Sequence, residues 1–147
     1  SLAVCALAAA CVGDGAEARR LEQAAASLGA EEYGRVVDTR IRLALVRGDR
    51  VTVEQLLAEA EAPQKTLIRS TKLAPVAARL DALAALQIRD RVEEEAPRWL
   101  RPGTYLEPFA LRALGAVRGD EALVAQAAAG FEAIRLDWHA SQTHALL

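Results

Sequence analysis

The chain has 147 residues, which suits one domain with a buried core. Its formal net charge of −2 argues against a dedicated nucleic-acid binder, because such proteins carry a basic excess. Hydrophobic residues make up 52% of the chain but aromatic residues only 4%, so its apolar content is mainly Ala, Leu and Val. Because Ala and Leu favour helices, whereas β-folds need β-branched and aromatic runs, the composition predicts an all-α protein.

The first apolar stretch, at residues 2–12, predicts a buried helix. A signal peptide is the alternative, but the stretch lacks a basic start and is too short to span a bilayer. Cys5 and Cys11 lie six residues apart, on different helix faces, so we expect two buried reduced thiols and a cytoplasmic protein. The chain begins at Ser1 and contains no Met, so we expect it to be a fragment of a longer protein.

Four turns of similar sequence divide the chain. Gly ends a helix by adopting a left-handed conformation, and Asp caps the next helix by accepting hydrogen bonds from its first N–H groups. The Asp residues of the turns lie 35, 41 and 30 residues apart, within the range of helical-repeat families. The turns are Val12-Gly13-Asp14, Arg47-Gly48-Asp49, Ile88-Arg89-Asp90 and Arg118-Gly119-Asp120.

Apolar residues spaced three and four apart flank each turn, as in amphipathic helices. We therefore predict a single helical-repeat domain over residues 1–147. The helix pairs are predicted at about residues 1–29, 31–61, 70–100 and 104–135, with a final helix at 138–147. Asp137 should cap that final helix. Residues 62–71 show the least periodicity and are the expected long connector.

Prolines and acidic residues give further local signals. Pro75 and Pro108, 33 residues apart, fit the first turn of a helix, where the missing N–H has no partner in the helix. Pro97 should shorten or bend the helix that contains it. Asp90 and Glu93 have the spacing of a capping box, so we expect Asp90 to cap the second helix of the third pair.

Part of the last pair resembles a known repeat family. Leu114-Gly115, Ala127 and Phe131 stand at the spacing typical of tetratricopeptide repeats. The wider stretch 109–143 is similar to the degenerate repeat arrays of large bacterial regulators, such as maltose-regulator-like transcription activators and cyclase-linked ATPases. In that family Gly and Ala permit close helix approach, and Phe fills the gap between the paired helices.

The resemblance implies a fold and a mode of action. The fold is a right-handed α-solenoid of about four antiparallel helix pairs plus a C-terminal helix. Leu111 and Arg118 depart from the family pattern, because Trp and Tyr are common at these positions. Stacked pairs form a concave surface that usually receives peptides or partner domains.

No catalytic, cofactor or metal motif emerges. Residues 13–18 fit a dinucleotide-binding fingerprint, but that motif needs a preceding strand, which the Ala-rich segment does not predict. His139 and His144 are five apart and miss the spacing of two ligands on one helix face. We therefore expect no enzyme, no cofactor and no bound metal. The enzyme alternative requires Asp137, His139 and an acidic partner to converge in a cleft.

We interpret the chain as a scaffold or regulatory module for protein–protein interaction. The stretch from Lys65 to Arg79 contains bases but no acid before Asp81, which is typical either of a solvated connector or of one rim of a groove for an acidic peptide. Candidate groove residues are Arg40, Arg47, Lys72 and Arg79.

Other expectations concern ligands and partners. The alternative function is the ligand- or partner-sensing region of a multidomain bacterial transcriptional regulator, with an apolar pocket near Trp99, Tyr105 and Trp138. We expect a protein or peptide partner, and neither direct nucleic-acid binding by this segment nor membrane association. The apolar first helix also predicts self-association, for example as a homodimer.

Overall fold

A computed structural model describes residues 1–29, 37–61 and 73–147. Within these ranges the chain forms nine α-helices and one 3₁₀ helix, without any β-strand, which confirms the all-α prediction. The chain divides into two compact units, Ser1–Ser70 and Thr71–Leu147. The predicted connector at 62–71 lies outside the described residues. Of the helices described, none is both long and apolar enough to cross a bilayer.

The described residues of the first unit form two helix pairs. In each pair, two consecutive helices joined by a short turn pack against each other, and α1 also packs against α3. The core is formed largely by small and aliphatic side chains, including Ala6, Ala18, Ile41 and Leu56. The helices are α1 (Leu2–Cys11), α2 (Gly15–Ser27), α3 (Val37–Arg47) and α4 (Arg50–Glu61).

The second unit is organised around α7. This helix packs against α5, α6 and α8, and α9 in turn packs against α8. Eight of its residues are buried, so it forms the centre of this unit's core. The elements are α5 (Leu73–Ala85), α6 (Arg89–Glu95), a 3₁₀ helix (Ala96–Trp99), α7 (Glu107–Arg118), α8 (Glu121–Ala133) and α9 (Asp137–His144).

Three of the four predicted turns have the expected chemistry. The glycine of each turn has a positive φ, between 67° and 86°. Each following Asp accepts a hydrogen bond from a backbone N–H in the next helix: Asp14 from Glu17, Asp49 from Thr52, and Asp120 from two residues. These acids satisfy N–H groups that have no partner within the helix.

The third turn corrects the prediction for Asp90. The left-handed residue there is Gln87, with φ of 57°, and the capping position belongs to Ile88, whose side chain makes no capping bond. Helix α6 therefore starts at Arg89, and Asp90 lies in its first turn. The Asp137 prediction is wrong for the same reason, because α9 starts at Asp137 itself, after Leu136. In both cases the acid that was expected to cap the helix lies inside its first turn.

The three prolines behave as predicted. Pro108 lies at the start of α7, and Pro75 is the third residue of α5. Helix α6 ends at Glu95, and the chain continues as a 3₁₀ helix through Pro97. A proline there removes an N–H and clashes with the preceding turn, which accounts for the short α6.

Helices α7 and α8 approach each other closely at Gly115. A Cβ added to this residue would lie 2.7 Å from Val124 Cγ2, 3.0 Å from Val124 N and 3.1 Å from Asp120 O. Real Cβ atoms are seldom found so near a backbone atom, so Gly115 permits this distance between the helices. Ala127 and Phe131 of α8 are completely buried.

We expect Gly115→Ala to lower the free energy of unfolding by about 1–3 kcal/mol, because the added methyl overpacks this contact. Chemical denaturation followed by circular dichroism measures the change. Val124→Ala in the same chain should restore only part of the stability, since Val124 N and Asp120 O remain close to the new methyl. Full rescue, or no loss in the single variant, would show that the helices separate at little cost.

Candidate functional site

Two of the predicted binding arginines share one face of α3. Arg40 and Arg47 are seven residues apart, about two helical turns, so their side chains leave the helix on the same side. Each bonds to an acid on the second helix of a pair. Arg47 Nη1 donates to Glu22 Oε2 at 2.7 Å, and Arg40 Nη1 donates to Glu59 Oε1 at 3.1 Å.

Arg79, the third candidate groove residue within the described ranges, lies in the second unit. Arg79 on α5 donates from Nε and Nη2 to the two carboxylate oxygens of Glu95, at 2.8 Å each. This two-point pairing fixes α5 against α6. Lys72 lies outside the described residues. The structure thus brings Arg40 and Arg47 together, whereas Arg79 belongs to a separate compact unit.

A shallow depression adjoins Arg40 in the first unit. Helices α1, α2 and α3 all contribute to it, and it has no room for an enclosed water molecule. Its lining combines apolar side chains with one acid and one base: Ala3, Ala6, Glu22, Thr39, Arg40 and Leu43. Ala3, Ala6 and Leu43 are themselves buried, so the depression exposes little apolar surface, and it has no room for a small molecule.

The ion pairs of these arginines are open to exchange. The side chain of Arg40 is 20% exposed to solvent, and that of Arg47 is 34% exposed. Ion pairs at the surface contribute about 0.2–1 kcal/mol, so a carboxylate from another molecule can compete for the same donors. The sequence did not indicate these pairings, because the partners lie 19 and 25 residues away along the chain.

A further surface ion pair joins α6 to α7. Arg118 donates from Nε to Glu93 Oε1 at 2.8 Å and from Nη2 to Glu93 Oε2. The hydrogen bonds from Arg118, followed by its charge, lower the pKa of the Glu93 carboxyl. Glu93, which was expected to complete a capping box with Asp90, therefore bonds to α7 instead.

The second unit also contains a buried polar cluster centred on Arg112. Arg112 Nη2 donates to Asp81 Oδ2 at 2.8 Å, and Nη1 donates to Thr143 Oγ1 at 3.0 Å. Thr143 Oγ1 donates onward to the backbone oxygen of His139 at 2.7 Å. Arg112 and Asp81 are each only 9% exposed, and Thr143 is completely buried. The cluster connects α5, α7 and α9 through one guanidinium group.

Aromatic rings surround this guanidinium group. Arg112 Cζ lies 4.6 Å from the ring centroid of Phe131 and 5.5 Å from that of Phe109. Phe109 and Phe131 meet edge to face, with centroids 4.8 Å apart. The His139 ring stacks on Phe131 at 5.3 Å. Cation–π contacts stabilise a cation that burial would otherwise disfavour.

The two histidines occupy different environments. His139 Nδ1 lies 3.3 Å from Arg112 Nη2, and since a guanidinium only donates, the ring nitrogen must accept this bond. His144 is exposed and faces Glu132 Oε1 at 2.8 Å. Asp137 is exposed at the start of α9. Arg112 lies between His139 and the carboxylate of Asp81 and bonds to both. These side chains therefore link α5, α7 and α9 to one another.

Three aromatic residues were predicted to line a ligand pocket, and two of them contact the rings that surround Arg112. Tyr105 contacts Phe109 with ring centroids 5.2 Å apart, and Trp138 contacts His139 at 5.0 Å. Trp99 ends the 3₁₀ helix, where it is half-buried. The side chain of Phe109 is fully buried, so the rings pack against one another at this point.

Chemical groups for metal binding are scattered. In the described ranges, no three His, Cys, Asp or Glu residues are grouped closely enough to hold a metal ion. The thiols of Cys5 and Cys11 are free, but Cys5 is exposed and Cys11 is only partly buried, so the expectation of two buried thiols is wrong. Comparison of the chain with protein-family profiles, with curated proteins and with solved structures finds no match.

Proposed function

We propose that this chain is a tetratricopeptide-like helical-repeat module, a right-handed α-solenoid of helix pairs, that binds a protein or peptide partner in the cytoplasm. The proposal rests on one observation: the first helix of one pair packs against the first helix of the next pair. In the first unit α1 contacts α3, and in the second unit α5 contacts α7. Helical repeats stack in this way to build an extended surface that receives partners.

The contact between α7 and α8 supports the proposed repeat type. Gly115 allows the close approach of the two helices, and Ala127 and Phe131 are fully buried. These are the roles that the resemblance to tetratricopeptide repeats implies for the three positions. The local packing therefore agrees with the pattern of residues on which the resemblance rests.

The partner we propose is an acidic peptide. Arg40 and Arg47 offer guanidinium groups along one face of α3. An incoming carboxylate can replace Glu59 or Glu22 as the acceptor, because these surface pairs are weak.

Selection of short peptides from a random display library on the purified chain tests this proposal. We expect the enriched sequences to be rich in Asp or Glu. The chain with Arg40→Glu and Arg47→Glu should bind a selected, fluorescently labelled peptide at least about tenfold more weakly, which corresponds to about 1.4 kcal/mol. Fluorescence polarisation at two salt concentrations measures the loss, and added salt should weaken binding to the unmodified chain.

Arg19→Glu together with Arg50→Glu provides the charge-matched control. Both are exposed bases of the same unit, on α2 and α4, so their reversal makes the same change in net charge without altering the α3 face. Binding that falls equally in the control would mean that overall charge, and not the α3 face, attracts the peptide. Selection of peptides without acids, or full binding by the double variant, would contradict the proposed site.

A further inference from the structure

The acids that pair with Arg40 and Arg47 come from helices other than α3. Glu22 lies on α2 and Glu59 on α4, so each ion pair joins α3 to another helix. The nitrogen–oxygen distance is 2.7 Å in Arg47–Glu22 and 3.1 Å in Arg40–Glu59. A carboxylate from a partner therefore meets donors that already bond to a carboxylate of the chain itself.

We propose that Glu22 and Glu59 are intramolecular competitors that weaken the binding of an acidic peptide to α3. This regulation rests on the proposed function, since it acts on the site proposed for the peptide. A guanidinium group has several N–H donors but one positive charge, so the two carboxylates compete for it. The observed affinity is then the intrinsic affinity reduced by the fraction of molecules in which the chain's own pairs are open.

The weakness of surface ion pairs sets the size of the effect. The four side chains are between 20% and 49% exposed, so water and a peptide can reach both pairs. At the strength typical of such pairs, each competitor reduces the affinity by a factor of about 1.5 to about 5. Removal of both acids should therefore raise the affinity by at least about twofold.

Competition also predicts a particular response to salt. Salt screens the pairs within the chain as well as those with the peptide, so the two effects partly cancel in the unmodified chain. Without the competitors, only the contacts with the peptide remain to be screened. Binding should then fall more steeply as salt is added.

Replacement of both acids by neutral residues of the same shape tests the competition. The peptide selected on the unmodified chain should bind Glu22→Gln, Glu59→Gln at least about twofold more tightly and with the steeper salt dependence, both measured by fluorescence polarisation. Glu17→Gln with Glu54→Gln is the matched control. These acids lie on the same two helices, and their replacement makes the same change in net charge. Circular dichroism establishes that each variant is folded.

The outcomes separate the competition from the proposed function. Unchanged or weaker binding by Glu22→Gln, Glu59→Gln would overturn the competition, while the requirement for Arg40 and Arg47 would leave the peptide site intact. An equal gain in the control would assign the effect to net charge and would overturn the competition as well. The gain should also vanish in a chain that carries Arg40→Gln and Arg47→Gln, and its persistence there would place the effect elsewhere.

Selection of peptides on Glu22→Gln, Glu59→Gln covers the case in which the unmodified chain selects none. Acidic peptides enriched on the variant alone would support strong competition by the two acids. No acidic peptide on either chain would contradict both the proposed function and the competition.

Chemical labelling of the arginines tests the pairs without a peptide. Phenylglyoxal modifies guanidinium groups, and mass spectrometry of the digested chain gives the rate at Arg40 and at Arg47. Both rates should rise at least about twofold in Glu22→Gln, Glu59→Gln and stay unchanged in the control. Rates that do not respond would show that these acids do not occupy the donors, and the competition would be wrong even where peptides bind.

Discussion

Replacement of Arg112 by methionine is expected to lower the free energy of unfolding by roughly 3–5 kcal/mol. Methionine is similar in length and keeps much of the contact with Phe131, but it removes the cation that faces the buried carboxylate of Asp81. It also removes the donor to Thr143 Oγ1. Loss of one partner from a buried ion pair is costly because the other partner stays desolvated.

Chemical and thermal unfolding followed by circular dichroism measure this effect. For a unit of this size, each kcal/mol shifts the melting temperature by about 4–8 °C, so we expect a decrease of more than about 10 °C. Arg101→Met, which removes an exposed arginine in the loop before α7, should change stability by less than about 0.5 kcal/mol. A similar small change for Arg112→Met would show that the cluster contributes little.

The double variant Asp81→Leu, Arg112→Met separates the two parts of this cost. Removing both charges leaves no desolvated carboxylate, so the double variant should be more stable than Arg112→Met alone. A coupling energy of about 0.5–3 kcal/mol between the two positions is expected for groups in direct contact. If the two losses simply add, the pair has no net coupling and the argument from the buried carboxylate fails.

The sequence correctly predicted local features, such as helix caps and helix ends, because residues adjacent in the chain determine them. Asp14 and Asp120 cap their helices because a carboxylate next to the first free N–H groups needs no other partner. Pro97 ends α6 through its own ring and missing N–H. The prediction for the third turn was wrong because Gln87 has the left-handed conformation that glycine has in the other turns. Since Gln rarely adopts a positive φ, its presence in a sequence does not indicate a helix end.

The polar cluster was missed because its members are distant in the chain. Arg112 lies 31 residues from Asp81 and 31 residues from Thr143, and no local spacing links them. In the sequence each of them resembles any other polar residue of a helix. Their contacts form only when the three helices pack together. A charged residue inside an otherwise apolar stretch is the available signal. Arg112 interrupts the apolar stretch of α7 in this way, between Ala110 and Ala113.

The same distinction applies to the arginines that the sequence suggested as candidate groove residues. Charge spacing indicated Arg40, Arg47 and Arg79, but it could not indicate that Glu59, Glu22 and Glu95 bond to them. The pairs Arg40–Glu59 and Arg79–Glu95 form when the second helix of a pair folds back on the first, whereas Arg47–Glu22 joins two successive pairs. A sequence therefore supplies the donors, and the packing of helices decides which acceptors compete for them. Experiments on these arginines must separate a lost partner contact from a lost contact between helices.

Phe131 is the second position at which we expect a large effect. Phe131→Ala should lower the free energy of unfolding by about 3–5 kcal/mol, because a fully buried aromatic side chain leaves a cavity when truncated. Three neighbours lose contacts at once: Phe109 loses an edge-to-face partner, His139 a stacked ring, and Arg112 the ring nearest its guanidinium group. Urea denaturation measures the change.

Phe131→Leu distinguishes volume from aromatic character. Leucine fills most of the space, so the loss should fall to about 1.5 kcal/mol or less if packing dominates. A loss close to that of Phe131→Ala would instead assign most of the effect to ring contacts, including the one with Arg112. Leu146→Ala, at an exposed position after α9, is the control and should leave stability within about 0.5 kcal/mol.

The two largest predicted effects meet in one place, and this has a consequence for α9. Arg112 holds α9 through Thr143, and Phe131 holds it through His139. When both residues are replaced, the losses should not add, since each single variant already loosens the same helix. Hydrogen exchange of the amides in α9 should therefore accelerate in either single variant and change little further in the double variant. Independent, additive losses would mean that the cluster and the aromatic rings stabilise separate parts of the unit.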